Sequence, residues 1–464
     1  MSELQIPNDW ESEKFQNIIS IKHGHQFRTH DFVKNDGIKV CKISQLGKNG
    51  KLDLSNCDMI SFNRLEEFSN FLIKKNDLLV SLTGNIGNVV KVNEDLEPLL
   101  QNYRVGKFTS KNENKIINDF LQYFLKSNLF KIQINSKINH TVIGNIGKSD
   151  LEKITIIYPS IKIQKRIVEK IEELFSLVDS AKDTLEKTKV LLKQYRQSIL
   201  KHAFEGKLVP QDPNDEPAYT LLENYSKHSN SNKESLEKEI PFGWCFVTLG
   251  DISDVLGGKR LPKGHSFSDV KTNYPYLRVT DFENLGINEK SLKFLKPETH
   301  NLIKKYTISS NDVYISIAGA GLGQVGIIPV HLNGANLTEN SAKFTNIKIN
   351  QKFLCYLVNS EICQNPISKL ITSSAQPKLA LFRIKKMIVP LPPLNEQKRI
   401  VAKIEESFSL IEKNEILIDK LLLQYSQIKN SILKQAFEGK LVPQDPNDEP
   451  AEVLLQRIRE EKKK

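Results

Sequence analysis

Apolar residues recur along two stretches of the chain in alternating steps of four and three. In the first stretch Ile167, Ile171, Leu174, Val178, Leu185, Leu192 and Ile199 fall on one stripe, with Ala181, Thr188 and Tyr195 in register. In the second the stripe is Ile400, Ile404, Ile411, Ile418, Leu421, Ile428 and Ile432, with Ser407, Asn414 and Tyr425 in register. This spacing keeps one face of a helix turned toward a partner helix, so both stretches are expected to be long helices with a coiled-coil seam. Pro159 and Pro392 precede them, and Gly206 and Gly439 stand where a left-handed C-cap would end them. From 164 to 200 a rise of 1.5 Å per residue gives roughly 55 Å, longer than a small domain is wide.

The remainder has a shorter period. DLLVSL, NVVKV and KITIIY before the first helix, and DVYISI, VGIIPV and KKMIVPLP before the second, are β-branched or aromatic runs bounded by turn residues and predict strands. INDFLQYFLKSNLFKIQI and QKFLCYLVNSEICQNPI predict amphipathic helices. The fold class expected is α+β. The expected segments are an α+β domain at 1–158, a helix at 159–206, a turn and linker at 207–239, a second α+β domain at 240–391, a second helix at 392–439, and a C-terminal turn and tail at 440–464.

These segments form an internal repeat. AFEGKLVPQDPNDEPA occurs at 203–218 and again at 436–451, and the same offset of 233 aligns QKRIV at 164–168 with QKRIV at 397–401. Upstream, IPNDW at 6–10 matches IPFGW at 240–244, and NDLLVSLTGNIG at 76–87 matches NDVYISIAGAGLG at 311–323. Two helices of one sequence type bury their stripes most simply against each other. The expectation is an antiparallel coiled coil about an approximate two-fold axis, with the α+β domains at opposite ends.

Composition adds little to the fold but narrows the function. At 464 residues and 39% hydrophobic content the chain can bury several cores. The N-terminal MSELQIPNDWESEKF lacks a basic region followed by an apolar run, and about 18 consecutive apolar residues occur nowhere, which predicts neither export nor membrane spanning and so a cytoplasmic protein. Five scattered cysteines without a C-x-x-C pair argue against a disulfide framework or a zinc site. A net charge of +11 suits a phosphate-rich partner.

Catalytic signals are weak. GLGQVG at 321–326 has the G-x-G-x-x-G spacing of a dinucleotide or methyl-donor site, but VGIIPV and Pro329 follow where a helix should open, so a hairpin turn is expected. His23, His25 and His30 match no standard zinc spacing. No P-loop, H-E-x-x-H, G-x-S-x-G or Asn/Asp-Pro-Pro-aromatic sequence occurs. The balance favours recognition over chemistry, with no metal and no cofactor in this chain.

The run SSAQPKLALFRIKKMIVPLPPLNEQKRIVAKIEE at 373–406, its long helix, and SILKQAFEGKLVPQDPNDEPA at 431–451 resemble the specificity (S) subunit of type I restriction-modification enzymes over essentially the whole chain. The resemblance implies two target-recognition domains, each reading one half of a split asymmetric site in double-stranded DNA, with helices that set the gap. It further implies two adenine methyltransferase (M) subunits and restriction (R) subunits as partners. S-adenosylmethionine, ATP and magnesium would belong to those partners, and this chain would be non-catalytic. The alternative is the specificity subunit of a related two-subunit enzyme that cuts on both sides of its site. The first half departs from the pattern: Ile163 replaces Glu396, and AQP is absent.

Base edges are read by bidentate donors and amides, Arg for guanine and Asn or Gln for adenine. The candidates in turn-like places are Arg28, Thr83, Asn85, Gln101, Asn102, Arg104 and His140 in the first half. In the second they are Lys259, Arg260, Arg278, Thr280, Gln324, Asn336, Asn340, Ser374, Gln376 and Lys378.

Overall fold

The structure is a computed structural model that describes residues 6–7, 9–47, 50–137, 145–222, 240–319, 321–372 and 378–443. The chain divides into two units, residues 1–185 with 419–464 and residues 186–418. The first long helix (Ile161–Phe204) and the second (Leu394–Phe437) each contribute one part to each unit.

Unit 1 holds a four-stranded antiparallel sheet in the order Ile19–His23, Val105–Ser110, Leu78–Ser81, Val89–Lys91. Leu78–Ser81 is buried on both faces, because Leu78 and Val80 enter a core under the helices while Leu79 enters a smaller core on the other side. The second sheet orders Phe32–Val33, Met59–Ser61, Gly37–Cys41 and Leu99–Gln101, the last two parallel. INDFLQYFLKSNLFKIQI forms two helices, Asn118–Lys126 and Asn128–Asn135. Ser127 breaks it by accepting from Phe130 N and donating to Phe124 O, as a side chain that competes with helical bonding does.

Unit 2 repeats the plan. One sheet orders Asp254–Gly257, Ser341–Thr345, Val313–Ser316 and Val325–Gly326; the other orders Phe267–Ser268, Lys293–Leu295, Pro275–Leu277, Ala335–Leu337 and Thr307–Ile308. Val313 and Ile315 face the helical core, and Tyr314 faces the second. QKFLCYLVNSEICQNPI likewise splits, into Gln351–Val358 and Glu361–Thr372, with Ser360 donating to Leu357 O between them.

Within each unit the two long helices run antiparallel. In unit 1, Ile167, Ile171, Leu174 and Val178 pack with Ile432, Leu433, Ala436 and Phe437, and farther along Asp179 bonds Lys429 Nζ at 2.7 Å and Tyr425. In unit 2, Leu192, Ile199 and Phe204 pack with Ile400, Ile404 and Ile411, and Arg196 bonds Glu415 at 3.0 Å while its guanidinium covers Phe408. Leu185 is half-buried and Ile418 buried. Two seam assignments need correction: Leu421 and Ile428 are 39% and 45% exposed. After Ile411 the inward positions are 415, 418, 422, 425, 429 and 432. Glu415 and Lys429 fill the stripe with ion pairs, which a hydropathy pattern cannot mark.

Both long helices end at a left-handed glycine, Gly206 with φ +71° and Gly439 with φ +69°. Lys207 N bonds His202 O at 2.8 Å, and Lys440 N bonds Gln435 O at 2.9 Å, the six-to-one bond of a Schellman cap. A Cβ on either glycine would strike a proline, Pro241 at 2.2 Å or Pro7 at 2.9 Å, so each cap packs against the opening IP of the other half, which lies in the same unit as the cap.

The helix starts are tied down by the glutamine of QKRIV. Gln164 donates to Lys115 O and Pro159 O and accepts from Ile117 N; Gln397 donates to Pro392 O and accepts from Asn350 N. In unit 2 the repeated turn then docks on the helix start. Trp244 Nε1 and Gln211 Nε2 donate to Glu396, and Arg399 reaches the buried Asp215 carboxylate at 2.6 Å. Burial raises the Glu396 pKa above the ordinary carboxylate value, and the two donors partly offset this. Residues 444–451 of the second copy lie outside the described residues.

Candidate nucleic-acid interface

Four segments meet at one end of the unit 1 sheet, where Ile19–His23 and Leu78–Ser81 finish and Val105–Ser110 begins. His25 N bonds Gln101 O and Tyr103 N bonds His25 O, both at 2.9 Å, which ties 23–28 to 101–105. Leu82 N bonds Arg104 O at 3.0 Å, adding the 81–88 turn. Ile146 N bonds Leu82 O and Thr83 bridges Asn145, adding a fourth segment. The crossing is close: a Cβ on Gly24 would lie 2.1 Å from Gln101 O, so only glycine fits.

Unit 2 builds the same rim from the corresponding segments. Gly258 N bonds Ser341 O, Lys259 N bonds Leu337 O, Ile317 N bonds Asn340 O and Leu379 N bonds Ile317 O. Ala318 bridges Lys378. A Cβ on Gly258 would lie 2.1 Å from Thr338 O. His25 therefore corresponds to Lys259, Arg104 to Asn340, and Asn145 to Lys378.

GLGQVG belongs to this rim as a hairpin turn between antiparallel Val313–Ser316 and Val325–Gly326. Ser316 Oγ donates to Gly321 O and accepts from Gln324 N, and Gly323 N bonds Ser316 O at 3.0 Å. The unit 1 turn uses the same bonds: Ser81 Oγ donates to Asn85 O and accepts from Asn88 N, and Gly87 N bonds Ser81 O at 3.0 Å. The three histidines have separate environments. His25 packs on Phe27, Phe68 and Phe71, and His30 is exposed beside Asp31. Burial holds the His23 pKa below its ordinary value, with Tyr103 bonding opposing and Lys148 reinforcing the shift, so its imidazole is neutral at pH 7.

The expected readers separate into groups. Arg104, Asn85 and Arg28 are exposed on or next to the unit 1 rim. Arg104 lies 5.3 Å from the Tyr103 ring centre, and its Nε donates to Tyr103 Oη at 2.8 Å. Among the described residues Thr83 Oγ1 is buried there with no hydrogen-bond partner, as is His23 Nε2. In unit 2 Lys259, Arg260, Gln324, Asn340 and Lys378 are exposed on the rim. Lys259 stands 5.8 Å from the Tyr306 ring, and Arg260 pairs with Glu339 at 2.6 Å while 74% exposed. Thr280 is exposed on the helical turn Val279–Asp281.

Others belong to the scaffold, and for Gln101 and Asn336, which lie in strands, this corrects their placement in turns. Gln101 is 1% exposed in Leu99–Gln101 and donates to Lys22 O and Val105 O. Asn336 is 0% exposed in Ala335–Leu337, bonded to Ile303 O and the His300 ring. Buried Asn102 caps Arg104 N at 3.2 Å. Arg278 is held by two bonds to buried Asp281 and one to Ser291 O. Its counterpart by strand register is Lys42, paired with Asp58, and both residues head a turn capped from its third residue. His140, Ser374 and Gln376 lie outside the described residues.

Sequence reasoning missed Tyr103, Tyr306 and Lys305, which form cation–π pairs on or beside the rims. The signal was an aromatic residue next to a base, YR at 103–104 and KY at 305–306. Among the described residues no helix is long and apolar enough to cross a membrane.

Known proteins share this layout. The family model described as Type I restriction modification DNA specificity domain matches twice, at residues 7–189 and 241–423. The chain is 25% identical to the type I restriction enzyme EcoBI specificity subunit of Escherichia coli, over 99% of this chain and 94% of that protein. It is 30% identical to the MjaVIII specificity subunit of Methanocaldococcus jannaschii, over 95% of each. The crystal structure of the HsdS subunit from Thermoanaerobacter tengcongensis aligns with a TM-score of 0.61 at 17% identity, covering 95% of this chain and 99% of that one. A structure from work on complex assembly and conformational transition of the type I R-M system aligns with a TM-score of 0.65, also at 17% identity, covering 94% and 99%. Both show a shared fold.

Proposed function

The chain belongs to the type I restriction-modification DNA specificity family and is a sequence-recognising subunit, and from that premise we propose that each unit reads one half of a split, asymmetric DNA site through its rim. One observation carries this reading: the two family matches fall one on each α+β region, and each region builds the same rim with different side chains. A shared frame fixes docking while exchanged side chains alter the bases read.

In this reading residues 1–158 and 240–391 are target-recognition domains and 159–206 and 392–439 are spacers. Arg28, Thr83, Asn85 and Arg104 face one half-site; Lys259, Arg260, Thr280, Gln324, Asn340 and Lys378 face the other. Each 44-residue helix spans about 66 Å, under two turns of B-DNA, which sets the gap between halves. The chain works in the prokaryotic cytoplasm without catalytic groups of its own, with two methyltransferase subunits and the restriction subunits bound. Selection of random duplex DNA by the chain assembled with its methyltransferase tests this. A bipartite motif with an unselected gap is expected; a single continuous motif would contradict it.

A further inference from the structure

Strand register brings two cysteines of unit 1 opposite each other. Gly37–Cys41 and Met59–Ser61 pair antiparallel with Gly37 opposite Ser61, Ile38 opposite Ile60 and Lys39 opposite Met59. Val40 N bonds Asp58 O at 2.9 Å, which carries that register one step past the strand. The next pair in register is Cys41 opposite Cys57.

A bond at Val40–Asp58 makes the flanking pairs non-hydrogen-bonded positions, where Cα atoms in an antiparallel ladder lie about 4.5 Å apart. Disulfides span Cα separations of about 4.4–6.8 Å, so this geometry admits one. The alternation of side chains puts Cys41 and Cys57 on the face that also carries Lys39 and Met59. Cys41 is buried and Cys57 partly exposed, so one thiol is reachable and the other lies behind it. Cys41 O accepts Asn102 N at 3.1 Å, which joins this strand end directly to the rim.

We infer that Cys41 and Cys57 form a reversible disulfide clip beneath the unit 1 rim, closed by a small-molecule disulfide of the glutathione class. The Cys57 thiolate attacks one sulfur of the oxidant, forming a mixed disulfide and expelling one small thiol. The Cys41 thiolate then attacks Cys57 Sγ and expels the second small thiol. Two protein thiols give up two electrons and two protons, and the oxidant leaves as two thiols. Burial pushes the Cys41 thiol up to about 12 and raises that of Cys57, so both steps are slow at neutral pH and accelerate with alkalinity. Lys39 opposes the Cys57 shift while Asp53 and Asp58 add to it, and it is the partial exposure of Cys57 that makes the outer thiol the first to react.

The clip stands on strand register alone; its effect on the rim rests on the function proposed above. The full chain is incubated to completion with oxidised glutathione at pH 8.5, and its peptides are mapped by mass spectrometry. A Cys41–Cys57 linked peptide that dithiothreitol removes is expected. Cys57→Ser should abolish the link, and Cys41→Ser should leave a lasting glutathione adduct on Cys57. A lasting adduct in the unsubstituted chain with Cys41 still a thiol, or an unmodified Cys57, would overturn the clip. In the oxidised chain, amide exchange at Val40 and Asn102 should slow at least threefold. Unchanged exchange in a linked chain would overturn its hold on the rim, leaving sequence reading by the rim a separate question answered by DNA selection.

Discussion

The starts of the two long helices solve one problem with different chemistry. In unit 2, Glu396 is a buried hub that accepts from Trp244 and Gln211, one turn before Arg399 grips Asp215. In unit 1 the corresponding position is Ile163, which packs into an apolar core with Trp10 and Phe437. What does not change is the glutamine: Gln164 and Gln397 both turn inward to the segment before the helix. A joint can therefore trade a polar hub for an apolar one, provided the backbone bonds at the helix start stay satisfied.

The largest effects should come from what the joints share. Phe437→Ala removes a ring packed on Phe120 and Phe124, and Phe204→Ala removes one packed on Phe353. Each should cost about 3–5 kcal/mol in its own unit. The chain has two tryptophans, Trp10 in unit 1 and Trp244 in unit 2, so denaturant titrations of single-tryptophan variants read the units separately. Equal losses of both reporters from either substitution would break the division into two units.

Arg104→Ala should weaken binding to the complete DNA site by about 1–3 kcal/mol and relax only the bases read by unit 1, measured by fluorescence anisotropy on half-site variants. Asp215→Ala should cost about 1–2 kcal/mol, seen by Trp244 and not by Trp10, since it ends a charged bond in unit 2 while leaving Arg399 able to reach water.

The smallest effect is one of pH. The raised Glu396 pKa means that the folded state holds this proton where the unfolded chain has lost it, so stability from this group rises as pH falls through the folded pKa toward the ordinary carboxylate value. Above the folded pKa the ionised group costs stability. Glu396→Gln should raise the Trp244-reported midpoint at a pH above the folded pKa and flatten its rise as pH falls toward the ordinary carboxylate value. An unchanged slope would show that Glu396 does not carry it.

The apolar stripes, Pro159, Pro392 and the cap glycines made the long helices legible, because local spacing and backbone requirements specify them. The seam beyond Ile411 was not, since its inward positions include Glu415 and Lys429, whose partners lie on the other helix. Ser127 and Ser360 split helices that looked continuous, because a single hydroxyl that bonds the preceding turn leaves hydropathy unaltered. Among the candidate readers, Arg104 and Lys259 could be chosen by chemistry, and both are exposed. Gln101 and Asn336 could not be told from readers, because an amide serving a buried strand crossing and an amide awaiting a base are one residue type. Only the register separates them.

The most direct test of two independent readers is long-read mapping of methylated adenines in cells that express the chain with its methyltransferase. The unsubstituted chain should give a split motif that vanishes without it, Arg104→Ala should relax one half alone, and Asn340→Ala should relax the other half alone. Both substitutions altering the same half, or neither altering the motif, would contradict the account.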